Sequence, residues 1–206
     1  MGERTGPMAF PSEEGDDPVT QEEYLKHMRS WADGERMVPE AAVGGLDNVV
    51  SHFTHWYRIA ELLNEGDRVV EIGCGCGLPA RIYSLKTQAP VVAVDKADVV
   101  ALSRVFYPTP GVSFVVADFN NDLWLVPVKE RGPFDVVVCV DVIEHVHNKG
   151  LFLSCLQALG GTETRYIVTT PIGDDDIPWH IHHWGTLKDF LDDVCRFLPR
   201  ERTIRV

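Results

Sequence analysis

The segment 68–77, Arg-Val-Val-Glu-Ile-Gly-Cys-Gly-Cys-Gly, constrains what this chain can fold into more than any other stretch. A short apolar run of strand character passes directly into glycines at positions 73, 75 and 77. Without a Cβ, glycine lets the backbone turn sharply and lets another group approach it closely. Pro79 follows where the first turn of a helix tolerates proline, so the segment opens a strand–loop–helix unit.

The pattern then repeats. Apolar, β-branched runs fall at 91–94, 112–117, 134–140 and 166–169, and helical spacing appears at 97–106, 151–159 and 187–197. Continuous apolar strands separated by amphipathic helices predict a mostly parallel sheet covered on both faces, an α/β, Rossmann-like doubly wound fold with flanking helices. Residues 203–206 can begin a sixth strand. Ahead of the glycines, Val49, Phe53, Trp56, Tyr57, Ala60 and Leu63 recur at helical spacing, and Thr20-Gln21-Glu22-Glu23 is a capping box opening a short helix through Trp31. Residues 1–19, rich in Pro, Gly and acids, read as a disordered tail. The expected organisation is a tail over 1–19, an N-terminal helical extension over 20–65 and a ligand-binding α/β domain over 66–206.

In an open parallel sheet the ligand lies beyond the carboxyl ends of the strands, so the residues there carry the chemistry. A dinucleotide loop would need a third glycine where Leu78 stands, which weakens a pyrophosphate-binding reading. Alternating glycines preceded by an acid suit S-adenosylmethionine (SAM), which has no phosphate but carries a cationic ammonium and sulfonium. Glu71 places negative charge nearby. Asp95, followed by Lys96, suits the two ribose hydroxyls, and Asp118 suits the adenine amino group with Phe119 against the ring.

These residues resemble the class I SAM-dependent methyltransferase family. Val69 to Gly77 looks like its first motif, with Glu71, Gly73, Cys74, Gly75 and Gly77 implied as cofactor contacts. Asp95 and Ala117-Asp118-Phe119 match its ribose and adenine positions, and Phe134 to Val146 looks like its fourth motif, adding Cys139 and Val140. Arg165 to Pro171 looks like the strand-five motif. The resemblance covers roughly two thirds of the chain, from Val69 to about Phe197, and implies a SAM cofactor and methyl transfer to an oxygen or nitrogen of a small molecule or sugar. The family adds a sixth and an antiparallel seventh strand, so a sheet lacking the last strand is expected. The segment Gly34 to Pro39, with His55-Trp56-Tyr57, is more loosely similar to bacterial methyltransferases of glycans and small molecules.

Candidates for the acceptor side fall after strand four, at Asp141, Glu144 and His145, and after strand five, in Pro178-Trp179-His180-Ile181-His182-His183-Trp184. Asp141, His145, His182 and His183 are the candidate catalytic groups, histidine being tuned to neutral pH. Some relatives hold a divalent metal with Glu-x-x-Glu-His here. The matching set would be Asp141, Glu144 and His145, completed by His182 or by a neighbouring His180 or His183. The favoured expectation is metal-free, with Glu144 and His145 shaping a helix start. Trp179 and Trp184, with Asp174-Asp175-Asp176, are expected to wall the acceptor pocket.

Charge narrows the partners. Nineteen Lys and Arg against 31 Asp and Glu give a net charge of −12, which weighs against a long nucleic-acid substrate. No apolar run is long enough to span a bilayer, the N-terminus lacks signal-peptide character, and a cytoplasmic location is expected. The five cysteines lack zinc spacing and read as small buried thiols. A metal-dependent RNA ribose methyltransferase and a SAM-binding module without activity, serving a partner, stand as alternatives.

Overall fold

The structure, a computed structural model, describes residues 45–173 and 177–204, together with Lys26, Val38 and Pro39. The expected tail over 1–19, the expected helix at 20–31 apart from Lys26, and Asp174 to Asp176 lie outside the described residues. The chain divides into two compact units, Met1–Thr54 and His55–Val206.

Helix α1 (Gly45–Glu61) precedes β1 (Val69–Ile72), α2 (Leu78–Thr87), β2 (Val91–Asp95), α3 (Ala97–Phe106) and β3 (Val112–Val116). Then follow α4 (Leu125–Lys129), β4 (Val136–Val140), α5 (Lys149–Leu159), β5 (Arg165–Thr169), α6 (Leu187–Val194) and β6 (Thr203–Ile204). The strands form one sheet in the order β3-β2-β1-β4-β5-β6, and every pairing is parallel. Short α4 is the helix that periodicity missed, because its five residues are too few to show a repeat.

All four residues of β1 and the first four of β2 and β4 are buried, as helices on both faces require. Each fully buried Val or Ile contributes about 1.5–3 kcal/mol. Edge strand β3 instead alternates, with Ser113 and Val116 exposed. On one face Ile72, Val94, Val137 and Cys139 meet Phe119, Trp124, Phe152, Leu156 and Phe190. On the other, Val69, Ala93 and Val138 meet Ile59 and Leu63 from α1 and its end, and Ala80 and Tyr83 from α2.

Register aligns the strand ends. Ile72 lies opposite both Val94 and Cys139, and Cys139 opposite Val168. Gly73, Asp95 and Asp141 therefore leave the sheet along one edge, around the β1/β4 position where the strand order reverses direction.

Candidate functional site

Backbone hydrogen bonds extend the ladder beyond β1 and shape the glycine loop. The amides of Gly73 and Cys74 donate to the Val94 carbonyl at 2.8 and 3.2 Å. Gly73 has φ +80°, and a Cβ there would meet Val142 Cγ2 at 2.2 Å, so the residue is glycine for packing as well as conformation. Gly75, at φ +51°, differs: a Cβ there would have no described atom within 4 Å, so its backbone faces open space.

Asp95 ties this loop to β2. Its Oδ2 accepts from the Gly75 amide at 2.9 Å and its Oδ1 from the Lys96 amide at 2.7 Å, leaving each oxygen a further lone pair. Burial pushes the Asp95 carboxyl up, while those two amides pull it down. Ser103 of α3 donates to the Gly75 carbonyl at 2.5 Å, bracing the loop from behind. Glu71 is 1% exposed, and its Oε2 has no hydrogen-bond partner among the described residues. Burial, and then the nearby Asp95 carboxylate, holds it well above the usual carboxylate range.

Asp118 is exposed and closes an Asx turn, with the Asn120 amide 3.0 Å from its Oδ1. Phe119 is buried, with Trp124 edge-on at 5.3 Å and Phe152 at 5.6 Å. Cys139 is fully buried, and Val140 is half-buried at the end of β4. Burial raises the thiols of Cys74 and Cys139 well above the ordinary cysteine value, in keeping with inert buried thiols.

Asp141 takes the left-handed conformation, φ +52°, uncommon for a residue other than glycine and found where surrounding structure imposes it. Thr169 imposes it here: its Oγ1 donates to Asp141 Oδ1 at 2.8 Å, and its carbonyl accepts from the Asp141 amide at 3.2 Å. Asp141 Oδ2 lies 3.9 Å from His55 Nδ1.

The next turn, Ile143–His145, meets the loop after β5. The Glu144 carbonyl accepts from the amides of Ile181 and His182 at 2.8 and 3.2 Å. The loop is thereby pulled back over the turn, and ligand atoms of Glu144, His145 and His180 come within 4.8 Å of one another. Glu144 is 1% exposed, and neither carboxylate oxygen has a partner among the described residues. Burial, then the Asp141 charge, pushes its carboxyl up to about 7. His145 Nδ1 lies 3.2 Å from the Trp179 carbonyl.

The ligand-type cluster thus differs from the set expected from sequence. Of the histidines offered to complete the set, His180 joins Glu144 and His145, whereas His182 Nε2 lies 2.9 Å from the Val146 carbonyl and burial holds its imidazole below its ordinary value. Asp141 engages His55 and Thr169 rather than this cluster. Trp184 is core rather than wall: it meets Phe190 edge-on at 5.2 Å, and its Nε1 donates to Asp193 Oδ2 at 3.1 Å. Trp179, Ile181 and His183 remain exposed. An orphaned buried carboxylate beside two imidazoles is a donor set that fits a divalent cation.

Tyr83 also escaped sequence reasoning. It is buried on the inward side of α2 with Ala80, Ser84 and Thr87, and its Oη has no hydrogen-bond partner among the described residues.

A family model described as a methyltransferase domain matches residues 52–205. The chain belongs to the class I SAM-dependent methyltransferases. A ubiquinone biosynthesis O-methyltransferase of Rhodopseudomonas palustris (strain TIE-1) is 33% identical over 96 residues, 46% of this chain and 36% of that protein. One of the same name from Xanthomonas axonopodis pv. citri (strain 306) is 27% identical over 152 residues, 66% of this chain and 61% of that protein. The chain therefore spans between about a third and three fifths of these relatives. The YcgJ protein of Bacillus subtilis shares the fold, with a TM-score of 0.56 at 16% identity over 69% of this chain and 68% of that one. Among the described residues of this methyltransferase, no helix is long and apolar enough to cross a membrane.

Proposed function

We propose that this methyltransferase transfers the SAM methyl group to a hydroxyl oxygen of a small molecule. One observation carries the reading: the Gly73–Gly77 loop, Glu71 and Asp95 converge at the point where the strand order reverses, beside the Glu144–His145–His180 cluster. The names of the curated relatives support oxygen as the atom methylated.

SAM, when bound, supplies an electrophilic methyl on a cationic sulfur. The chain's own groups position and deprotonate. Asp95 presents two carboxylate oxygens to the ribose diol, and the Gly75 backbone lets the ligand lie against the loop. Phe119 holds the adenine side from within the core, and Asp118, Cys139 and Val140 stand at the neighbouring strand ends. His183, exposed and with its ring 6.3 Å from that of His180, is the group that would take the proton of the acceptor hydroxyl.

Glu144, His145 and His180 would hold a divalent cation, which would orient an acceptor oxygen and lower its proton affinity. The exposed Trp179 and Ile181 offer an apolar border to such an acceptor.

Calorimetric titration with SAM, with NAD as control, tests the cofactor. Micromolar binding is expected for the wild type, weakened at least about tenfold in Asp95→Ala and absent for NAD. A labelled-methyl assay across phenolic, vicinal-diol and sugar hydroxyls, with Mg²⁺, Mn²⁺ or chelator, then tests the acceptor. A folded wild type that binds no SAM overturns the reading.

A further inference from the structure

We propose that Asp193 is a positioning residue for the Glu144–His145–His180 cluster, holding the segment that carries His180 against the turn that carries Glu144 and His145. The inference rests on the reading of that cluster as the acceptor side of the crevice, and it gives α6, which contributes no residue to the cluster, a part in building it.

The cluster takes its donors from two irregular pieces of chain. Glu144 and His145 stand on the short turn after β4, and His180 on the segment 177–184 after β5. Neither piece has the ladder of a strand or an α-helix to fix it, so their relative position depends on ties between them. One tie is made by the amides of Ile181 and His182 on the Glu144 carbonyl, with His182 Nε2 2.9 Å from the Val146 carbonyl beside it. These bonds hold the segment along one short line and leave its downstream end, Trp184, to be fixed elsewhere.

Asp193 supplies the second tie. Its Oδ2 accepts from Trp184 Nε1 at 3.1 Å and from Lys149 Nζ. Trp184 lies four residues beyond His180, and Lys149 four beyond His145, so one carboxylate oxygen holds the downstream ends of both pieces. The two partners also meet each other, the Lys149 ammonium standing 5.0 Å from the centre of the Trp184 ring. The Trp184 carbonyl accepts from the Gly173 amide at 2.9 Å, and its ring packs edge-on against Phe190 of α6.

Burial makes this tie strong. Trp184 is 4% exposed, and the side chains of Asp193 and Lys149 are 20% and 25% exposed. An indole N–H so placed needs an acceptor, and a carboxylate is a stronger one than a neutral oxygen. Burial raises the Asp193 carboxyl, but the bonds from Lys149 and Trp184 outweigh it and hold the group below its ordinary value. Asp189 and Asp192 serve the helix locally instead, the first on Thr186 and the second on Lys188.

The test compares Asp193→Ala and Trp184→Phe, which break the tie from either end, with Val194→Ala, which thins the buried face of α6 and leaves the tie intact. Amide hydrogen exchange, Mn²⁺ binding by electron paramagnetic resonance and SAM binding by calorimetry, all on the full chain, are the readouts. In Asp193→Ala the amides of Ile181 and His182 are expected to exchange about tenfold faster relative to those of Val70 and Val138, the scale of one charge-assisted hydrogen bond. Mn²⁺ is expected to bind about tenfold more weakly, with SAM affinity within about twofold of the wild type. Trp184→Phe is expected to show the same pattern to a smaller degree. In a His180→Ala background Asp193→Ala is expected to change Mn²⁺ binding no further, because its effect passes through His180. Unchanged exchange at Ile181 and His182, the same losses in Val194→Ala, or a further Mn²⁺ loss in the His180→Ala background overturns the assignment. A folded wild type that binds SAM but no Mn²⁺ overturns the cation reading instead, and exchange at Ile181 and His182 in the variants then decides whether Asp193 holds the segment.

Discussion

The amide of Ile181 donates to the carbonyl of Glu144 at 2.8 Å, joining the loop after β5 to the turn after β4. That bond selects His180 from the histidines of its segment, because it fixes which side of the loop faces the buried carboxylate. His180 is 6% exposed, whereas His183 stays in solvent.

The first prediction follows from that selection. Glu144→Gln and His180→Ala are expected to weaken Mn²⁺ binding about tenfold or more, and His182→Ala to leave it within about twofold. Electron paramagnetic resonance of free against bound Mn²⁺ gives the result directly. Equal losses in all three variants would refute the assignment of His180 over His182.

Gly73 and Gly75 are expected to respond differently to alanine. Gly73→Ala must fit a Cβ at 2.2 Å from Val142 Cγ2 and hold φ +80°, at a cost of about 2–4 kcal/mol. Gly75→Ala meets no described atom within 4 Å and should cost only about 1 kcal/mol, yet weaken SAM more than its stability loss accounts for. Denaturant midpoints beside SAM titrations separate the two.

Phe119→Ala is expected to cost about 3–5 kcal/mol, since the ring sits between Trp124 and Phe152. Phe119→Leu should recover most of that, and its SAM affinity should stay within about threefold of the wild type. A large loss of SAM affinity in a stable Phe119→Leu protein would assign the ring a direct stacking role.

Glu71 sets a pH dependence whose sign is defined. Its folded carboxyl is held well above the ordinary value of 4.5 by burial and by Asp95. Above that value the unfolded chain has released the proton and the folded chain keeps it, so stability falls as pH rises. Below 4.5 the penalty disappears, because both states are protonated. Glu71→Gln is therefore expected to be more stable than the wild type at about pH 8 and equal to it at about pH 4, as urea unfolding would show. A wild type and variant with parallel pH profiles would refute the buried, proton-holding carboxyl.

The fold was legible because its signals are local. Valine-rich runs of strand length, helical stripes between them and glycines after the first strand follow from backbone geometry within a few residues. They were enough for the parallel order of elements and for placing Glu71, Gly73, Gly75 and Asp95 at strand ends. Asp95 could be placed there because the apolar run of β2 ends on it.

What tertiary structure alone decided lies where no period operates. Whether Phe119 turned inward depended on the space left by Trp124 and Phe152, 33 residues away at the latter, not on its neighbours in sequence. The partner of Glu144 depended on an irregular loop whose path is set by a carbonyl 37 residues earlier than Ile181. His55 and Asp141 come within 3.9 Å only because α1 lies over the end of β4. Side-chain periodicity states which face a residue takes, and only the packed chain states what stands opposite.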